Sequence, residues 1–139
     1  SGEKKTFYIT NNSVSSSILP PKNHINHFGD HVKVKKRITL KTITYSDLCK
    51  KFPELKNPIY NFLILDCQGA EYEVLKGIGK DNLQQFESIE VEISNDEEYE
   101  SQKQQPEITK LLKKWGYKCV QNCDNKAIHG IAYYKKTTQ

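Results

Sequence analysis

Two carboxylates in this 139-residue chain stand where carboxylates commonly do chemistry. Asp66 follows directly on the nearly continuous apolar run Ile59 to Leu65, and Glu92 lies near the end of the alternating run Phe86 to Ser94. In open α/β sheets, ligands collect outside the carboxyl ends of the strands. If these two runs are neighbouring strands, the two acids flank one crevice, with backbones about 5 Å apart by strand spacing. Such a pair can bind a metal, orient a hydroxyl or take its proton. Gly69 permits a sharp turn out of the first strand, and the helix starting near Ala70 turns free amides toward the same crevice. Gln68 stands ready to hydrogen-bond a substrate there. The same residues also suit a purely structural role, with Asp66 or Gln68 capping the helix and Glu71 complementing its dipole. Spacing alone leaves both roles open.

The elements that must position these residues are legible in outline. Thr6 to Thr10 is β-branched and aromatic and reads as a short strand running into the polar loop Asn11 to Ser17, which Pro20-Pro21 extends. Val32 to Thr44 alternates well enough for one long or two short strands. Thr44-Tyr45-Ser46-Asp47 resembles a capping box opening a helix that carries Leu48 and Phe52, with Pro53 and Pro58 closing the region. Ile59 to Leu65, broken only by Asn61, has the pattern of a strand buried on both faces near the centre of a parallel sheet. Ala70, Val74, Leu75 and Ile78 then recur at helical spacing, with Gly77 or Gly79 placed to end the helix. In Phe86 to Ser94, Ile89, Val91 and Ile93 share one face and Glu90 and Glu92 the other. The next helix has Pro106 in its first turn, the stripe Ile108, Leu111, Leu112 and Trp115, and Gly116 just past its end. Tyr117 to Gln121 and Ala127 to Tyr134 form a closing hairpin around Asn122 to Asn125. The order β, β-β, α, β, α, β, α, β-β implies a largely parallel sheet with an antiparallel terminal hairpin, half of a doubly wound fold.

Composition narrows the classes. Hydrophobic residues make up 36% of the chain, enough for the core of one domain, although the mean hydropathy of -0.73 points to a thin one. No apolar run approaches a membrane span and no charged-then-apolar leader is present, so a cytoplasmic protein without membrane contact is expected. Ser1-Gly2 reads as the scar of a cleaved tag, residues 1–5 and 137–139 as tails, and 6–136 as the domain; methionine is absent, which suggests a piece of something longer. The net charge of +4 is scattered and falls short of a nucleic-acid-binding face. Lys33, Lys35, Lys36 and Arg37, alternating with Val32 and Val34, read as an edge strand whose charges discourage aggregation. Cys49, Cys67, Cys119 and Cys123 are expected to be free thiols in a domain large enough not to need staples. His24, His27, Asp30 and His31 have spacing that could gather a metal, but they lie in a loop with no frame to fix them, and Cys119 with Cys123 lacks two further ligands, so no metal site is expected.

Leu65-Asp66-Cys67-Gln68-Gly69-Ala70-Glu71, followed by Val74-Leu75-Lys76-Gly77, resembles the signature of the FkbM family of methyltransferases. The serine-rich loop Asn11 to Leu19, the stretch Ile38 to Leu48, Glu92 followed by Tyr99, and the helix to Trp115-Gly116-Tyr117 are similar in order and spacing, so the resemblance spans nearly the whole chain. It implies the C-terminal half of a Rossmann-like class I fold, and transfer of a methyl group from S-adenosylmethionine to a hydroxyl of a sugar or other small molecule. By that resemblance Asp66 and Glu92 are the catalytic candidates, and Gln68, Glu71, Asn12 and Ser16 bind the acceptor. Such enzymes also begin with a strand, a glycine-rich loop and an acidic residue for the cofactor ribose. No Gly-x-Gly follows a strand in this sequence, so no cofactor-binding residues are assigned, and the fragment alone is expected to be inactive. The competing expectation is a non-catalytic remnant whose exposed sheet edge is covered by self-association.

Overall fold

A two-stranded ribbon lies against a separate four-stranded sheet in the computed structural model, which describes residues 2–124 and 127–137. Ser1, Asn125, Thr138 and Gln139 from the readings above, and the side chains of Asp30 and His31, lie outside the described residues.

The ribbon pairs β1 (Lys4–Thr10) antiparallel with β2 (Val34–Lys41). β1 starts two residues before Thr6, so Lys4 and Lys5 belong to a strand rather than a tail, paired with Lys41 and Leu40. Both strands are edges, and Arg37 lays its guanidinium 5.6 Å from the centre of the Tyr8 ring. The loop between them is folded back on the ribbon: Tyr8 and Ser17 exchange backbone hydrogen bonds of 2.7 and 3.1 Å. It also carries a 3-10 turn, Ser13–Ser15, and a short helix α1 (His24–Phe28) where the sequence showed only loop. Neither is long enough to display a helical period.

The larger sheet has the order β3-β4-β6-β5, from β3 (Phe62–Leu65), β4 (Ser88–Ser94), β5 (Tyr117–Gln121) and β6 (His129–Lys136). Among the described residues only β3 and β4 are parallel; β6 pairs antiparallel with both β4 and β5. The chain is therefore a mixed α/β structure around a mixed sheet, less parallel than the alternation of strands and helices implied. α2 (Tyr45–Lys51) opens with the Thr44 hydroxyl accepting from the Asp47 amide. α3 (Glu71–Ile78) and the short α4 (Lys80–Leu83) connect β3 to β4, and α5 (Gln105–Lys114) connects β4 to β5.

The core is one-sided. Leu65, Ile89, Val91, Ile93, Ala132 and Tyr134 meet Leu75 and Ile78 of α3, Leu83 of α4 and Ile108 and Leu112 of α5. The opposite face is less covered: Phe62 is 47% exposed and Ile64 58%, and Ile131 is exposed on β6, across β4 from them. This corrects the central, doubly buried position expected of β3, which is an edge strand of only four residues with one apolar face in solvent. An unbroken apolar run reports what a strand is built to contact but not whether the covering elements are present.

A second correction concerns the thiols. Cys119 and Cys123 form a disulfide across the β5–β6 turn, where a bulge and the tight turn bring their Cα atoms to 5.5 Å. Cys49 and Cys67 are free. Among the described residues no helix is long and apolar enough to cross a membrane.

Candidate active site

The register of β3 on β4 pairs Ile64 with Glu90 and Leu65 with Val91, which brings Asp66, one residue further on, level with Glu92. The two acids thus stand at the carboxyl ends of adjacent parallel strands, as their positions after the two apolar runs predicted. Gln68 links them: its amide nitrogen donates to Asp66 Oδ1 at 2.6 Å and to Glu92 Oε2 at 3.2 Å. Burial, and then hydrogen bonding to Asp66, pushes the Glu92 carboxyl up to about 8. At neutral pH Glu92 is therefore largely protonated, with its hydrogen bond directed to Asp66.

The turn that carries these groups is built against its own preferences. Gln68 has φ 52° and Gly69 φ 89°. A Cβ at residue 69 would stand 2.8 Å from Tyr99 Cδ2, so glycine is required there both by dihedral and by space. Three contacts hold the turn. Glu71, 1% exposed, accepts from the backbone amides of Cys67 at 2.7 Å and Gly69 at 3.3 Å. Ser17 Oγ, from the ribbon loop, donates to the Gln68 carbonyl at 2.7 Å. The Tyr99 hydroxyl, 3.1 Å from both the Ser15 carbonyl and Gln68 Oε1, fixes the Gln68 amide from the far side. Burial raises the Glu71 carboxyl and the Tyr99 phenol above their ordinary ranges, and burial followed by the Glu71 charge lifts the Cys67 thiol to about 11, which removes Cys67 as a nucleophile.

Of the residues read from the sequence, the structure thus brings Asp66, Glu92 and Gln68 together. Ser16 joins them: it lines the same 440 Å³ cavity as Asp66, Gln68 and Ser17, with Phe7, Val14, Ile18 and Val74 as apolar walls, while its Oγ accepts from the Thr10 amide at 3.1 Å. Asn12 is exposed at the start of the 3-10 turn and is not part of that wall. Glu71 faces the turn from beneath, both amide bonds ending on its Oε1.

Ser17 and the packing role of Tyr99 are additions. Their partners lie 51 and 31 residues away in sequence, and no local pattern reports such contacts. Behind Tyr99, the ring of His24 stacks at 5.0 Å, with Nε2 3.1 Å from Ser15 Oγ and Nδ1 3.6 Å from Glu98 Oε1. His27 turns away to Asp96, at 2.8 Å, and its hydrogen bond lowers the Asp96 carboxyl. Among the described residues no group of three His, Cys, Asp or Glu side chains converges as a metal site.

With this geometry in place, the family is clear. The model of the Methyltransferase FkbM domain matches residues 2–119, most of the chain, and the chain belongs to that family. No curated protein and no solved structure matches it.

Proposed function

We propose that this chain forms the acceptor side of an S-adenosylmethionine-dependent O-methyltransferase acting on a hydroxyl of a sugar or other small molecule. The observation that carries this reading is the Asp66–Gln68–Glu92 arrangement at the ends of two parallel strands, of which Asp66 and Gln68 line a cavity with a serine-bearing wall. Methylation of a hydroxyl forms an O–C bond and releases the O–H proton. Asp66 accepts that proton, and Glu92 holds its own proton toward Asp66 up to about pH 8. Gln68 fixes the distance between the acids and Ser16 presents its hydroxyl to the acceptor.

The described residues do not fit the methyl donor. A nucleoside cofactor needs backbone approach over a glycine turn. Gly69 is filled by Tyr99, and the positions of Gly29 and Gly79 open onto empty space rather than a cradle. The free edge of β3, apolar on both faces, is where a further α/β segment carrying the donor site would pair. Calorimetry of the chain with S-adenosylmethionine is expected to show no tight binding, and micromolar affinity would overturn this division. NMR titration with methyl β-D-glucoside is expected to shift Ser16, Ser17 and Gln68, with loss of the effect in Asp66→Asn; shifts confined to other surfaces defeat the acceptor reading.

A second reading rests on the same exposed strand: a binding module that self-associates by pairing β3 edges and burying Phe62, Ile64 and Ile131. Sedimentation equilibrium decides between them, since that reading requires a dimer that Ile64→Lys dissociates.

A further inference from the structure

The acceptor cavity does not end at Asp66. Ile18 and Val74 are walls shared with a second, larger hollow of 810 Å³ between the ribbon, α2 and α3. Its lining is mostly apolar, including Leu19, Ile43, Tyr45, Leu48, Leu63 and Tyr72, with Lys5, Glu73, Lys76 and Lys103 among its charged members. A wall of this kind grips hydrocarbon, whereas the Asp66 cavity offers carboxyl, amide and hydroxyl groups.

Gly77 shows how the hollow is kept open. It lies in the last turn of α3 rather than after it, since the helix runs to Ile78. Its φ is not positive, so the backbone does not demand glycine. A Cβ there would meet nothing within 4 Å, so neighbouring side chains do not demand it either. Residue 77 does line the hollow, and any side chain longer than alanine would begin to fill it.

We infer that the acceptor is amphipathic: a hydroxyl-bearing polar end seated at Asp66 and an apolar body of alkyl or fused-ring type lying in the groove between the ribbon, α2 and α3. The inference rests on the acceptor reading of the Asp66 cavity and specifies its substrate class. The common border of the two hollows at Ile18 and Val74 fixes the direction of the ligand, with its polar end toward Asp66.

The test compares octyl β-D-glucoside, kept below its micelle-forming concentration, with methyl β-D-glucoside. Binding is followed by NMR titration of the chain, with far-UV circular dichroism confirming that each variant is folded. Wild-type chain is expected to bind the octyl compound roughly tenfold or more tightly than the methyl one. Gly77→Leu, which blocks the groove without a buried clash, is expected to reduce that preference to less than about twofold while leaving methyl glucoside binding unchanged. Asp66→Asn is expected to weaken both ligands and keep the preference. Absence of an octyl preference in wild type, or its survival in Gly77→Leu, overturns the inference. A preference that Gly77→Leu removes, together with affinities indifferent to Asp66→Asn, overturns the acceptor reading alone.

Discussion

Replacing Glu92 by glutamine tests the protonated state of Glu92 without reference to turnover. In the unfolded chain Glu92 ionises near its ordinary 4.5, whereas in the fold burial and Asp66 hold it protonated up to about 8. Between those values unfolding releases a proton, so raising the pH favours the unfolded state. The contribution of Glu92 to stability is therefore intact below about pH 4.5, declines through neutrality, and is fully lost above about pH 8. At 1.36 kcal/mol per pH unit the full displacement corresponds to at most about 5 kcal/mol. The carboxyl is only partly buried, and screening reduces this to about 1–2 kcal/mol. The amide introduced by Glu92→Gln keeps both bonds, accepting from Gln68 and donating to Asp66, but cannot ionise. Urea unfolding of wild type and Glu92→Gln from pH 4 to 9 should show similar stabilities at the acid end and the variant ahead by about 1–2 kcal/mol at pH 9. Taking the difference cancels every other titrating group common to both proteins. A difference that stays flat with pH, or a ¹³C carboxyl resonance of Glu92 titrating near 4.5, would refute the reasoning.

Other consequences concern the scaffold. Glu71→Ala leaves the amides of Cys67 and Gly69 without their acceptor in a buried turn and is expected to cost about 2–4 kcal/mol by urea unfolding. Tyr117→Phe removes a buried hydroxyl lying 2.6 Å from the Leu83 carbonyl and 2.7 Å from that of Phe86, with an expected loss of about 1–2 kcal/mol by the same measure. Thiol titration of the denatured, unreduced chain should find Cys49 and Cys67 alone, and reduction should lower stability by about 2 kcal/mol, the loop-closure value for so short a ring.

What the sequence disclosed depended on how local the responsible physics is. The period-2 alternation of Ile89, Val91 and Ile93 and the capped stripe of α5 depend on neighbours within a few residues, and both elements fall where they were expected. The placement of Asp66 opposite Glu92 was legible as well, because strand ends and parallel pairing are enough to fix it. The antiparallel insertion of β6 between β4 and β5 was not, since a hairpin signal does not say which of its strands turns inward. The Cys119–Cys123 bridge escaped because it depends on a bulge between Cys119 and Gln121, a register detail without a sequence pattern. Ser17 and Tyr99 at the site, like His24 behind it, depend on the folding-back of the ribbon loop, which no window of sequence contains.

That folded-back loop bears on why Gln68, rather than a second glycine, occupies a left-handed position. A side chain there costs about 1 kcal/mol relative to glycine, and a turn serving only to connect β3 to α3 would favour Gly-Gly. Here the strain is opposed by Ser17 on the Gln68 carbonyl, by Glu71 on the flanking amides and by Tyr99 on the side-chain oxygen. All three supports converge on one outcome, a Gln68 amide nitrogen aimed between the two acids. Gln68→Ala and Gln68→Gly lose the same side-chain bonds and differ only in the backbone cost, so the glycine variant should be the more stable of the two by about 1 kcal/mol. Equal stabilities would mean that the turn is unstrained in solution, and the argument that it is held open for the sake of the Gln68 side chain would fall with it.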